Sequence, residues 1–188
     1  MATDRQLLLS ALRAHRAADE KEASDLEEMR RLAASLEEPF SRAQRGAHFT
    51  GSAVVVDPEG ARVVLLHHAK LDRWLQPGGH AEPQDGGAME RTALREAGEE
   101  TGCRVALHER AMRPLDLDVH LIPARKGEPA HRHLDVRYLA VAEDPGALAH
   151  DEGESRGAEW LSWGDAIARA DDLALKRLLS KARAACGR

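Results

Sequence analysis

Glu96, Glu99 and Glu100 stand at positions i, i+3 and i+4. On a helix that spacing gathers three carboxylates within an arc of about 100°. Like charges so placed each cost a few tenths of a kcal/mol, and Gly98 among them costs about 1 kcal/mol more in a helix interior. A segment shaped only by helix stability would avoid both. A hard divalent cation of the Mg2+ type removes the repulsion, because it takes oxygen ligands, binds few carboxylates and bridges to substrate phosphates. The glycines in the PGGH segment at 77–80 make a compact loop whose backbone can approach such an ion closely. A solvated acidic face is the competing reading in a chain with 31% charged residues, and PGGH ahead of the helix tips the balance to the cation.

A second constellation follows. Asp116, Asp118 and His120, then His131, His133, Asp135 and Arg137, recur at period two, which puts each set on one face of a strand. The intervening IPARKGEPA is turn-rich and predicts that the two strands pair as a hairpin. That pairing collects three His, three Asp and one Arg on one sheet surface. Exposed strand faces more often carry Thr, Lys and Glu, so the set reads as a substrate pocket rather than an ordinary solvent-facing side. Arg137 is expected to pair with phosphate, and the histidines to donate to it or to bind another metal. Arg137→Ala should then raise the substrate requirement more than it lowers stability. His80 is a further pocket candidate.

These residues need a scaffold. Residues 4–38 read as a helical hairpin, with Asp19 and Glu22 spaced as a capping box and Leu26, Met29, Ala33 and Leu36 on one stripe. SAVVVD and RVVLLHH predict two strands joined at a DPEG turn, and a Pro-Gly-Gly turn follows Trp74. A helix is expected over 88–101, strands over 104–109, 115–122, 133–142 and 159–161, and an amphipathic helix over 172–185. The pattern is α+β with a mixed sheet and helices before, within and after it. The expected division is an N-terminal helical extension, 1–46, and a main domain, 47–188. The extension is expected to cap the sheet or to build a homodimer interface.

Composition narrows the field. The 188 residues suit one domain that needs no metal to hold its core, so any metal is expected to be functional. A net charge of -5 excludes a basic stripe for general nucleic-acid binding. The apolar runs at 53–56 and 63–66 fall far short of the roughly 20 residues that span a bilayer, so no membrane partner is expected. The first residues lack the features of a secretory leader, and two distant cysteines, Cys103 and Cys186, suit a reducing cytoplasm. Aromatics at 3% leave few platforms for stacking a base.

PGGHAE followed by REAGEETGC closely resembles the signature of the Nudix hydrolases: Gly, five residues, Glu, seven residues, then Arg-Glu-apolar-any-Glu-Glu-any-Gly-apolar. The second half matches in full as Arg95, Glu96, Ala97, Glu99, Glu100, Gly102 and Cys103. The first half departs, because Gly87 stands where a Glu is expected. Counting from Gly79 reaches Asp85 as the substitute acid, with Glu82 and Glu90 as alternatives. The resemblance implies an α/β/α sandwich around a mixed sheet and a hydrolase that cuts a pyrophosphate bond in a nucleoside diphosphate linked to another moiety. NDP-sugars, ADP-ribose-like compounds and modified nucleoside triphosphates are the substrate classes it leaves open. It further implies Mg2+ or Mn2+ on Glu99 and Glu100, with the Gly78 carbonyl, with Glu96 as ligand or orienter of the attacking water, and with Arg95 holding the carboxylates by an ion pair. Family members often carry a Glu six residues before a Trp. Here Glu154 precedes Trp160 by six, which makes it the expected extra ligand or general base, with Glu152 second. The D-x-D-x-H and H-x-H-x-D-x-R strands are similar to those of a bacterial subset with an N-terminal helical extension. A non-catalytic ligand sensor and a diphosphate isomerase are the alternatives on the same fold.

Overall fold

The computed structural model describes residues 3–124 and 129–188. The chain forms α1 (Asp4–Ala14) and α2 (Glu20–Ser35), then β1 (Ala47–Val56), β2 (Arg62–His68), β3 (Arg73–Leu75) and β4 (Gly78–His80). After α3 (Met89–Thr101) come β5 (Val105–Leu107), β6 (Asp116–Ile122), β7 (His131–Ala142) and β8 (Ser155–Ser162), followed by α4 (Trp163–Arg169) and α5 (Leu173–Ala185). Among the described residues the eight strands make one mixed sheet. β1 runs parallel to β7 along its whole length and meets β2 only at Val56 and Val63, so the expected β1–β2 hairpin is splayed and another strand supplies most of β1's partners. The Pro-Gly-Gly segment read as a turn is a strand, β4, antiparallel to β1 over Thr50–Ser52. α4, from Trp163, is absent from the expected elements.

Period-two alternation splits the apolar residues between two cores. Phe49, Val55, Leu134 and Val136 turn to α1, α2 and α3, where Leu12, Met29 and Ala93 meet them. Val54, Val56, Leu65 and Leu139 turn the other way, onto Leu175, Leu178 and Leu179 of α5 and Ala166 of α4. The result is a sheet between two helical layers. α1 and α2 share the first core with the sheet, which is how the N-terminal hairpin caps it. α3 lies against β1 at Gly51, where a Cβ would stand 2.7 Å from the Met89 carbonyl oxygen. Only a glycine lets the helix sit that close.

β6 is an edge strand, and α2 covers its edge. Asp19 caps α2 by accepting from the Glu22 amide at 2.8 Å, as expected, but the Glu22 side chain does not fold back to complete a capping box. Instead its carboxylate accepts from the Leu117 amide of β6 at 3.1 Å, the Ala18 amide at 2.6 Å, His15 Nε2 at 2.7 Å and Lys181 Nζ at 2.6 Å. Asp25 accepts from the Val119 amide at 3.2 Å. Two carboxylates thus close the unpaired amides that make an edge strand hazardous. Burial alone pushes the Glu22 carboxyl up, but His15, Lys181 and the Ala18 amide outweigh it and hold it down at about 2. A depressed acid contributes stability above its unfolded value of 4.5, and that stability disappears as pH falls towards 2. Glu22→Gln is therefore expected to lower the melting temperature at pH 7, by about 1–3 kcal/mol of stability. The gap from the parent should close between pH 4.5 and 2; a gap independent of pH in thermal melts would show that the charge plays no part.

Candidate active site

α3 carries the carboxylates, and the loop ahead of β8 meets them. The Gly78 amide donates to Glu100 Oε2 at 2.8 Å. Glu154, just ahead of β8, hydrogen-bonds Glu100 and lies close enough to raise the Glu96 carboxyl as well. Burial, then the hydrogen bond and charge of Glu154, push the Glu100 carboxyl up to about 9 against the pull of the Gly78 amide. Burial likewise raises Glu96, although Arg95 opposes it. Three acids from two separate segments are thus crowded into one place, a donor set of hard oxygens that fits a divalent cation. Glu99 stands at the rim, 62% exposed, and binds Arg95 at 2.9 Å. Glu152 is exposed in the same loop.

Arg95 is the clamp. Its Nε and Nη2 donate to the two oxygens of Asp85 at 3.1 and 3.0 Å, and Nη2 also donates to the His80 carbonyl at 2.8 Å. Nη1 donates to Glu96 at 3.1 Å and to Glu99. Asp85 is buried and also accepts from Thr92 Oγ1 and the Glu82 amide. Burial pushes its carboxyl up, but Arg95 and those donors outweigh it and keep it ionised. Asp85 therefore orients Arg95 from the loop just ahead of α3, two residues before Gly87. Glu82 and Glu90 are exposed.

The departure at Gly87 has a steric cause. Gly86 and Gly87 have φ of +57° and +65°, and a Cβ on Gly87 would fall 2.1 Å from the Cβ of Asp4 in α1. The N-terminal helix occupies the space a side chain needs. Gly87→Glu, which restores the spelling of the motif, is expected to cost at least about 2 kcal/mol through the left-handed backbone alone. In a chain of this length that lowers the melting temperature by roughly 5 °C. Turnover should not rise; a gain in kcat would mean that holding Arg95 needs more than Asp85.

The second constellation divides. The hairpin register pairs Asp116 with Arg137, Asp118 with Asp135 and His120 with His133, as its spacing predicts; residues 125–128 of the connection lie outside the described residues. The expectation that Arg137 faces phosphate is corrected. Arg137 is 5% exposed and donates to Asp135 at 2.9 Å, Asp118 at 3.0 Å and Asp116 at 3.5 Å. Burial pulls its guanidinium down, and the three aspartates more than restore it. Arg177 and Lys181 of α5 also bind Asp116, and Lys21 of α2 binds Asp118, so two helices close this end of the sheet face. Asp118 and Asp135 belong to that buried network, and Asp135 also accepts from Thr50 and Ser52. Period two identifies the face of a strand but not what lies on top of it.

His131 and His133 lie outside the network and His120 touches it through Asp118 at 3.0 Å; the three form a cluster with His80 and with His48 of β1, which the sequence reading passed over. The polar alternation of His48, Thr50 and Ser52 was visible in the sequence and marks the same face. Burial, then Arg42 and the neighbouring histidines, push His80 down to about 4. His80 and Gly79 line a cleft of about 210 Å³ with Glu96, Glu99, Glu154 and Arg42, the last also unforeseen. On β4, Gly79 faces Glu96 so closely that a Cβ would meet its carboxylate at 2.6 Å.

A family model described as the NUDIX domain matches residues 47–181. A solved hydrolase of the NUDIX family from Clostridium perfringens is 27% identical, with a TM-score of 0.53 over 74% of this chain and 96% of that one. An Ap4A hydrolase from C. elegans is 22% identical, with a TM-score of 0.55 over 72% and 95%. The dihydroneopterin triphosphate pyrophosphohydrolase of E. coli is 15% identical, with a TM-score of 0.51 over 71% and 92%. The last two show likeness of fold. Among the described residues no helix is long and apolar enough to cross a membrane.

Proposed function

The chain belongs to the Nudix family as one of its hydrolases, and on that premise we propose that it cleaves the pyrophosphate bond of a nucleoside diphosphate linked to a further group. The observation that carries this reading is the nearness of Glu154 to both Glu96 and Glu100, with Glu96, Glu99 and Glu154 lining the cleft. Mg2+ or Mn2+ would be held by Glu96, Glu100 and Glu154 with Glu99 and the Gly78 backbone. When bound, the cation neutralises charge on the phosphate oxygens and favours a water nucleophile.

The chain's own residues do the rest. Arg95, fixed by Asp85, sets the angle of Glu96 and Glu99. Glu154 reaches the cleft from a loop, is not tied to Arg95, and takes the proton of the attacking water. Arg42 and His80, which line the same cleft, receive the small anionic substrate. Within the chain, residues 1–46 form the extension and 47–188 the hydrolase domain; the unpaired Cys103 and Cys186 suit a cytoplasmic setting. Phosphate release with Mg2+ or Mn2+ over NDP-sugars, ADP-ribose-like compounds and modified nucleoside triphosphates tests the proposal. Turnover of at least one class is expected. Turnover that survives Glu99→Gln and Glu100→Gln together would overturn the placement of the cation.

A further inference from the structure

We propose that His48, His80 and His133 form a second metal site, selective for a borderline divalent cation such as Zn2+ or Co2+ and separate from the glutamates of α3. The three come from β1, β4 and β7, and each offers a ring nitrogen within 4.8 Å of the others. Ring centroids lie 5.1 Å apart for His48 and His80, 4.9 Å for His48 and His133, and 4.9 Å for His80 and His133. A tetrahedral ion with metal–nitrogen bonds of 2.0–2.1 Å needs donors about 3.3 Å apart, so side-chain shifts on the order of an ångström close the site.

Chemistry favours the cation. His133 Nε2 is buried and has no hydrogen-bond partner among the described residues, an expense that a metal bond removes. All three donors are imidazole nitrogens, with no carboxylate among them. That donor set suits zinc-type ions and is poor for Mg2+, which demands oxygen. Their neighbours are prepared in the same sense. The Asp118 carboxylate accepts from His120 Nδ1 at 3.0 Å, and the Pro129 carbonyl accepts from His131 Nδ1 at 3.0 Å. Both acceptors require the proton on Nδ1 and so fix the rings of His120 and His131, which pack against His133 at 5.4 and 5.2 Å between centroids. β4 stands between the two sites: its Gly79 turns to Glu96, and its His80 ring packs on the histidines while the residue also lines the glutamate cleft.

The site would fasten three strands together. Full-length protein stripped of metal and then saturated with Mg2+ is titrated with Co2+. One equivalent should give the intense visible band of tetrahedral coordination, and Zn2+ should displace it. His48→Asn and His133→Asn should each weaken Co2+ binding by at least about a hundredfold. Glu99→Gln with Glu100→Gln should leave the band intact. No band under Mg2+, or a band that vanishes with the glutamates and persists in His133→Asn, overturns the site. X-ray absorption at the zinc edge of the unmutated protein decides independently of whether the histidine variants fold. Three imidazoles around the ion support the site, and an oxygen shell without imidazole overturns it. Since the hydrolase reading rests on the glutamates, either can fail without the other.

Discussion

Glu100→Gln is expected to lower kcat by roughly a thousandfold, the several kcal/mol that a metal-bound oxygen supplies to phosphoryl transfer. It should leave the melting temperature unchanged or slightly raised. The two halves of that result come from one feature. Without a cation, burial and the nearness of Glu154 push the Glu100 carboxyl up to about 9, so near neutral pH it keeps its proton and is already uncharged. Glutamine reproduces that neutral form, and its carbonyl oxygen can still accept from the Gly78 amide. What it cannot do is give up a proton to make room for Mg2+. In the parent, Mg2+ at about 100 times its Kd adds about 2.7 kcal/mol, a rise of roughly 5–10 °C at this chain length. In Glu100→Gln most of that rise should vanish. Glu99→Gln should cost far less, since Glu99 is at the rim and spends its carboxylate partly on Arg95. Turnover of Glu100→Gln within about tenfold of the parent would show that the buried acid is not a ligand.

The carboxylate cluster was legible because its information is local. The spacing of Glu96, Glu99 and Glu100 fixes their common face wherever the helix packs, and Glu154 was found by its distance from Trp160. Other relations are not written in spacing. His48 and His133 lie side by side only because β1 pairs parallel with β7, a register set across more than eighty residues by the two cores. The short β4 looked like a turn because its glycines serve close approach, to Ser52 on one side and Glu96 on the other, rather than reversal of the chain. Nor does spacing show that α1 fills the space beside Gly87. That contact joins the first helix to the motif and cannot be read from either segment alone.

Arg137→Met should lower stability by about 3–5 kcal/mol, the range for breaking a buried ion pair from one side. For a chain of this length the melting temperature should fall by roughly 10 °C. The methionine fills similar volume, so the loss is electrostatic rather than a cavity. Its weight falls unevenly on the three aspartates. Asp116 keeps Arg177 and Lys181, and Asp118 keeps Lys21 and His120. Among the described residues Asp135 retains only neutral donors, Thr50 and Ser52 with Gln76 more distant, so it becomes a buried charge without a cation there. Adding Asp135→Asn to Arg137→Met should therefore recover a large part of the lost stability, whereas Asp116→Asn should recover little. Arg137→Lys should fall between, because one ammonium cannot reach three carboxylates with the fixed fork of a guanidinium. Steady-state kinetics below the melting transition should show an unchanged KM. A raised KM at full stability would return Arg137 to the phosphate role that its strand face first suggested. A lowered melting temperature rescued by Asp135→Asn would place its work inside the protein, where it holds the covered end of the sheet against α2 and α5.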